Sequence, residues 1–204
     1  FRHHTPHLPR LRRKVMLEPI TGCVHLAVAG GCGGTTWGLQ HARRVLGEGH
    51  HVVWICEEIP DGGRFSQLFA DVSPIAVSKL HLSAVGENTD VGIKSAIDLL
   101  NALENIALVV VDDWTKKSGK PSSDLRNSMH ALITTCSDKG VSLIAISSAY
   151  EDANGSGWKA RGSLKGCETW FLHRGQIDSM LRELHFDGEV TEYMLSDDGF
   201  TPRK

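Results

Sequence analysis

The sequence predicts an α/β fold: a mostly parallel, twisted sheet flanked by helices, with an antiparallel extension toward the C-terminal end. Three observations predict it. Apolar runs without polar alternation, such as Ile106 to Val111 and Val141 to Ile146, suit strands buried on both faces. Segments with helical apolar spacing alternate with such runs up to Ser148, which calls for right-handed crossovers in a parallel sheet. Beyond Ser148 the strands shorten, and Asp187-Gly188 between two of them is a strong hairpin signal.

Each element can be placed in order. Cys23 to Val28 is the first strand, followed by the glycine cluster Gly30-Gly31-Cys32-Gly33-Gly34 and by Thr35-Thr36. A helix from about Thr36 to Leu46 stops near Gly47 and Gly49. His51 to Cys56 is a second buried strand, ending at Glu57-Glu58 and a Pro60 to Gly63 loop. A short helix over Arg64 to Asp71 leads to a third strand, Lys79 to Val85. Ile93, Ile97 and Leu100 mark a helix within 88–104. Ile106 to Val111 ends in Asp112-Asp113. Ser122 or Ser123 caps the next helix, which carries Leu125, Met129 and Leu132 on one face. A polar stretch with glycines at 151–166 precedes strands near 168–173, 179–186 and 190–195.

The chain has 204 residues, 41% of them hydrophobic and 23% charged, which suits one α/β domain over 16–204. No stretch approaches the ~18 apolar residues of a membrane span, and no signal peptide is readable. Residues 1–15 read as a disordered basic, His-rich tail or a non-native remnant, with Met16 as a natural start. A basic arm touching a polyanion is the functional alternative. The tail holds five bases and no acid; without them, 17 bases face 24 acids. A whole-surface attraction to nucleic acid is therefore excluded, and any such contact must be local. The five cysteines form no CxxC pair, which excludes a zinc ribbon or a thioredoxin motif. They read as buried free thiols in a reducing, cytoplasmic setting.

A strand, a glycine loop and a helix in succession form a phosphate cradle, with loop amides and the helix N-terminus facing the anion. The nucleotide-binding candidates are Gly30, Gly31, Gly33, Gly34, Thr35 and Thr36. The full motif is GxxxxGK[ST], and two registers are open. With Thr36 as the hydroxyl, Thr35 stands in the lysine position; with Thr35 as the hydroxyl, Gly34 does. Neither has the lysine, which meets the β- and γ-phosphates. Arg43, Arg44, Arg64 or an arginine of a neighbouring subunit are the candidate substitutes. Asp112 ends a buried strand, where an acid can hold Mg²⁺ through water. Glu57 and Glu58 end another, where a carboxylate can orient a water.

The order of these elements resembles the RecA superfamily of P-loop ATPases, and most nearly its archaeal RadB and KaiC-like members. Trp54 to Pro60 is similar to the strand and glutamate pair of KaiC-like proteins, which implies Glu58 or Glu57 as catalytic base. Leu108 to Asp113 resembles the magnesium strand, which implies Asp112 as its acid. Ala149 to Asp152 with 155–166 resembles the loop leading RadB-type proteins into their last strands, and 193–200 their closing strand and turn. ATP and Mg²⁺ are the implied cofactors. Two departures weaken hydrolysis: the missing lysine, and Ser147-Ser148 where recombinases place a glutamine or asparagine.

In that superfamily the loop matching 155–166 faces DNA. Trp158, Lys159, Arg161 and Lys165 are the implied single-stranded DNA contacts, a tryptophan between cations being able to stack a base; Arg174 belongs to the same basic stretch. A solvated loop with a packed tryptophan is the alternative. His25 and Met129 read as core, and Trp114 with Lys116 and Lys117 as a solvated loop. The resemblance implies a recombinase paralogue assisting homologous recombination and DNA repair, with little or no ATP hydrolysis. Its partners would be single-stranded DNA and a recombinase or RecA-fold subunit in an oligomer. The alternatives are a KaiC-like regulatory ATPase with a non-standard phosphate loop, or a silent scaffold subunit of a RecA-fold hetero-oligomer.

Overall fold

A computed structural model describes residues 17–116 and 118–203. The basic tail at 1–15 and Lys117 lie outside the described residues.

The strands are β1 (Cys23–Val28), β2 (His51–Cys56), β3 (Leu80–Ala84), β4 (Ile106–Asp112), β5 (Ser142–Glu151), β6 (Trp158–Ala160), β7 (Glu168–Arg174), β8 (Leu181–Phe186), β9 (Glu189–Ser196) and β10 (Gly199–Pro202). The helices are α1 (Gly34–Gly47), α2 (Gly62–Phe69), α3 (Pro74–Val77), α4 (Thr89–Ala102) and α5 (Ser123–Lys139). The sheet runs β10-β9-β8-β7-β1-β5-β4-β2-β3, with β6 paired to β5. From β7 to β3 every neighbouring pair is parallel; from β7 to β10 every pair is antiparallel.

Alternation along the strands divides the core into two layers. Val52 and Trp54 on β2, Leu108 and Val110 on β4, and Ile144 on β5 pack beneath α1. Val53 and Ile55, Val109 and Val111, and Leu143 point the other way, under α4 and α5. The caps follow local chemistry: Ser122 accepts from the Leu125 amide, and Gly140 closes α5 at φ 66°. Asp187 and Gly188 both take positive φ between β8 and β9, as a tight hairpin turn requires.

Three readings of the sequence change. Trp114 is fully buried, not in a solvated loop. Its amide bonds to the Ile146 carbonyl, which prolongs the β4–β5 ladder and turns the indole inward. Cys23 and Cys167 form a disulfide, leaving Cys32, Cys56 and Cys136 as buried free thiols. The register that pairs Val24 with Glu168 brings the preceding Cys23 and Cys167 together, a relation that their separation of 144 residues hides. The 151–166 stretch contains β6, folded back antiparallel on β5. In the sheet, β5 stands between β1 and β4, so the glycine-loop strand and the Asp112 strand are not neighbours.

Candidate phosphate loop and basic cleft

The turn after β1 is held by three backbone bonds: Ala29 to the Leu172 carbonyl, Cys32 to that of Ala29, and Trp37 to that of Gly33. Gly31 and Gly33 take positive φ, 69° and 91°, a region in which side chains are strained. The amides of Gly30, Gly31 and Gly33 have no hydrogen-bond partner among the described residues. Free amides at a helix N-terminus are what an anion needs.

One contact distinguishes Thr35 from Thr36. Thr35 Oγ1 donates to Asp112 Oδ2 over 2.7 Å, while the buried Thr36 side chain has no hydrogen bond among the described residues. Of the two threonines, Thr35 is thus the one whose hydroxyl reaches the acid at the end of β4, and Gly34 directly precedes it. A Cβ on Gly34 would lie 2.7 Å from Val28 Cγ2 and 3.3 Å from Ile146 Cγ2. The Val28 and Ile146 side chains fill the space into which a side chain at Gly34 would extend.

Burial raises the Asp112 pKa to about 6; the Thr35 hydrogen bond opposes the rise and the Asp113 charge adds to it. Asp113 follows through a cis peptide. Its carboxylate accepts from the Thr115 amide and hydroxyl, at 2.9 and 3.0 Å. Burial raises its pKa first; Thr115 and Arg161 pull it down and Glu57 pushes it up. Glu57 and Glu58 are both exposed just past β2. Glu57 lines a cleft of about 460 Å³ with Asp113 and Gly86, and Glu58 is not among its walls. Of the two glutamates, Glu57 is thus the one brought to Asp113.

The cations expected to replace the lysine are engaged elsewhere. Arg43 pairs with Asp71, and Arg44 with Glu48. Arg64 donates to the Ser196 and Asp197 carbonyls. Arg174, read from sequence only as part of the basic stretch, lies against the loop instead. Its Nη2 is 3.4 Å from the place a Gly31 Cβ would take, and its side chain has no hydrogen bond or ion pair among the described residues. Across the β7–β8 ladder stands Arg182, which is buried and donates to the Ser179 and Leu181 carbonyls.

On β5, Ser147 is buried and faces β1. Its hydroxyl is 2.7 Å from His25 Nε2, and the Trp114 indole donates to that same nitrogen over 3.3 Å. An indole N–H only donates, so Nε2 is the acceptor of both. Burial lowers the His25 pKa to about 4 and keeps the ring neutral.

The four expected DNA contacts separate in space. Trp158 is half-buried and stacked on His173, with ring centroids 5.3 Å apart. Lys159 is tied to Asp152 at 2.6 Å. Lys165 lines a cleft with His130 and Asp138. Arg161 lines a different cleft of about 640 Å³ together with Lys120, Arg126 and Tyr150, and no acid. The Arg161 guanidinium lies 5.9 Å from the Tyr150 ring centroid and donates to the Gly119 carbonyl. Lys120 and Arg126 were missed in the sequence because 30 residues or more separate them from Arg161; the basic run Lys116-Lys117 to Lys120 was the available signal.

No protein-family profile matches the sequence. No curated protein matches it either. Among solved structures, the chain is similar to one titled "Crystal structure of the RadB recombinase", with a TM-score of 0.71, 18% identity, and coverage of 90% of this chain and 91% of that one. At that identity the likeness establishes the fold: this chain has a RecA-like α/β core.

Proposed function

We propose that this protein is a RecA-fold recombinase paralogue that assists homologous recombination and DNA repair, binding single-stranded DNA. In this reading the glycine loop holds ATP–Mg²⁺ as a structural ligand and not as fuel. The observation that carries it is the pairing of Thr35 with Asp112 beside a Gly34 that admits no lysine. The hydroxyl–carboxylate couple that positions magnesium is kept, while the charge that would stabilise phosphoryl transfer is absent. Bound magnesium would supply charge neutralisation at the phosphates. Thr35 and Asp112 would orient it, loop amides would cradle the anion, and Arg174 would meet part of its charge.

The DNA contact in this reading is the cleft of Lys120, Arg126 and Arg161, with Tyr150 as an exposed aromatic edge. Base stacking on an aromatic contributes ~1–3 kcal/mol and tolerates any sequence. Oligothymidylate anisotropy tests it: Lys120→Ala with Arg161→Ala should weaken binding, and unchanged affinity rejects the DNA role. A recombinase or other RecA-fold subunit is the proposed partner in an oligomer.

One observation favours a second reading, a weak KaiC-like regulatory ATPase. Arg174 is a free guanidinium at the loop, placed to take up part of the missing lysine's role, with Glu57 positioned as base beside Asp113. Phosphate release that disappears in Glu57→Gln supports this reading; absence of turnover removes it.

A further inference from the structure

We infer that His173, Glu183 and His185 form a binding site for a divalent transition-metal ion, zinc being the ion whose preferences they match. His173 on β7 stands directly opposite Glu183 on β8 in the antiparallel ladder. His185 lies two residues beyond Glu183, so all three side chains leave the same face of the sheet. One ligand atom from each lies within 4.8 Å of the others, and no other group of three among the described residues meets that spacing.

The hydrogen bonds already set the ligand atoms. His173 Nδ1 is 3.1 Å from the Arg174 carbonyl oxygen. A carbonyl only accepts, so Nδ1 carries the hydrogen and Nε2 keeps its lone pair. This is the outer contact by which histidine ligands have their tautomer and ring orientation fixed. His185 Nε2 lies 2.9 Å from Glu183 Oε2, so without an ion it donates to the carboxylate. A cation arriving between them displaces that proton and is held by both groups. The His173 ring is braced by Trp158 at an interplanar angle of 14°. An ion approaches in the plane of the ring and leaves this stack intact.

Two imidazoles and a carboxylate form a nitrogen-rich set that suits zinc or a neighbouring transition ion over calcium and magnesium, which take oxygen ligands. Zinc bonds of ~2.0–2.2 Å call for ligand atoms about 3.3 Å apart in a tetrahedron. Rotation of three partly exposed side chains closes the remaining gap. Three protein ligands leave one position for water or for a group from another molecule. The ion would clip β7 to β8 on the antiparallel extension. Its three ligands are distinct from the residues of the phosphate loop and of the basic cleft.

The test is calorimetric titration of the full chain with zinc, alone and with cobalt absorption as a second readout. The parent carries His3→Ala, His4→Ala and His7→Ala, which removes the histidines of the N-terminal segment as competing chelators. One ion per chain is expected. His173→Ala and His185→Ala should each lower the affinity by about 100-fold or more, exceeding the 10–100-fold typical of outer contacts. Glu183→Gln keeps the shape and an acceptor, should retain native circular dichroism, and should lower affinity at least about tenfold. A parent that takes up no stoichiometric zinc, or a folded Glu183→Gln that binds as tightly as the parent, overturns the site.

Discussion

The Thr35 hydroxyl and the Asp112 carboxylate meet at 2.7 Å across the top of the sheet, bridging α1 and β4 over the intervening strand β5. Replacing Thr35 with Val leaves a buried carboxylate without its donor. The expected cost is about 1–3 kcal/mol, read as a lower urea midpoint at neutral pH. Thr35→Ser should restore most of it. Equal midpoints for the Val and Thr proteins would show that the contact contributes nothing.

Gly34→Lys rebuilds the motif on paper but should fail in the protein. The new Cβ falls 2.7 Å from Val28 Cγ2, and overpacking of this kind costs about 1–3 kcal/mol. A lower melting temperature with no gain in phosphate release is the expected pair of results. A stable, hydrolysing Gly34→Lys protein would mean that the loop accommodates the side chain after all.

Arg174→Ala should weaken ATP–Mg²⁺ binding about tenfold, near 1.4 kcal/mol, because it removes the free guanidinium at the loop. Arg43→Ala is the control, since Arg43 is paired with Asp71. Calorimetry on the two variants decides between them, and equal losses would remove Arg174 from the site.

Salt dependence separates the cations of the former patch. Each phosphate contact contributes about −0.7 to the slope of log affinity against log salt on a single strand. Arg161→Ala should lower the magnitude of the slope by about that amount. Lys159→Ala should barely move it, because Asp152 already neutralises Lys159. A slope that falls for Lys159→Ala and holds for Arg161→Ala would reverse the assignment.

Acid should destabilise the fold before most carboxylates titrate. Burial lowers the His25 pKa from 6.5 to about 4, and burial with the Arg44 charge lowers His41 to about 3. Both rings are neutral in the folded chain and protonate more readily in the unfolded one. Their stability is therefore full above pH 6.5 and lost as pH falls through those values. Asp112, raised from 3.8 to about 6, works the other way and gains stability as pH falls between the two. The two histidines outweigh Asp112 and the likewise raised Asp113, leaving a net loss on the order of 2 kcal/mol by pH 5. Thermal melts from pH 7.5 to 5 measure it; a flat or rising melting temperature would contradict the balance.

Most of the fold was legible because its signals are local. Unbroken apolar runs give the parallel strands, and Asp187-Gly188 gives the β8–β9 turn. The glycine loop, Asp112 and the absence of a lysine were equally plain. What stayed hidden depends on which strands become neighbours. The choice between Thr35 and Thr36 needed the approach of β4 to α1. Arg174 reaches the loop only because β7 inserts beside β1, and the Cys23–Cys167 bond follows from the same pairing. For Trp158 the segment, without an apolar pattern, left a base-stacking and a packed reading open, and His173 and the core cover one side of it.

In the proposed function, Thr35, Asp112 and a lysine-free glycine loop bind nucleotide without consuming it. Single-turnover incubation of the chain with labelled ATP–Mg²⁺, with and without oligothymidylate, tests this most directly. Saturable binding that Asp112→Asn weakens, with the recovered nucleotide still ATP, is the predicted result. Recovery of ADP in amounts that Glu57→Gln abolishes would contradict it.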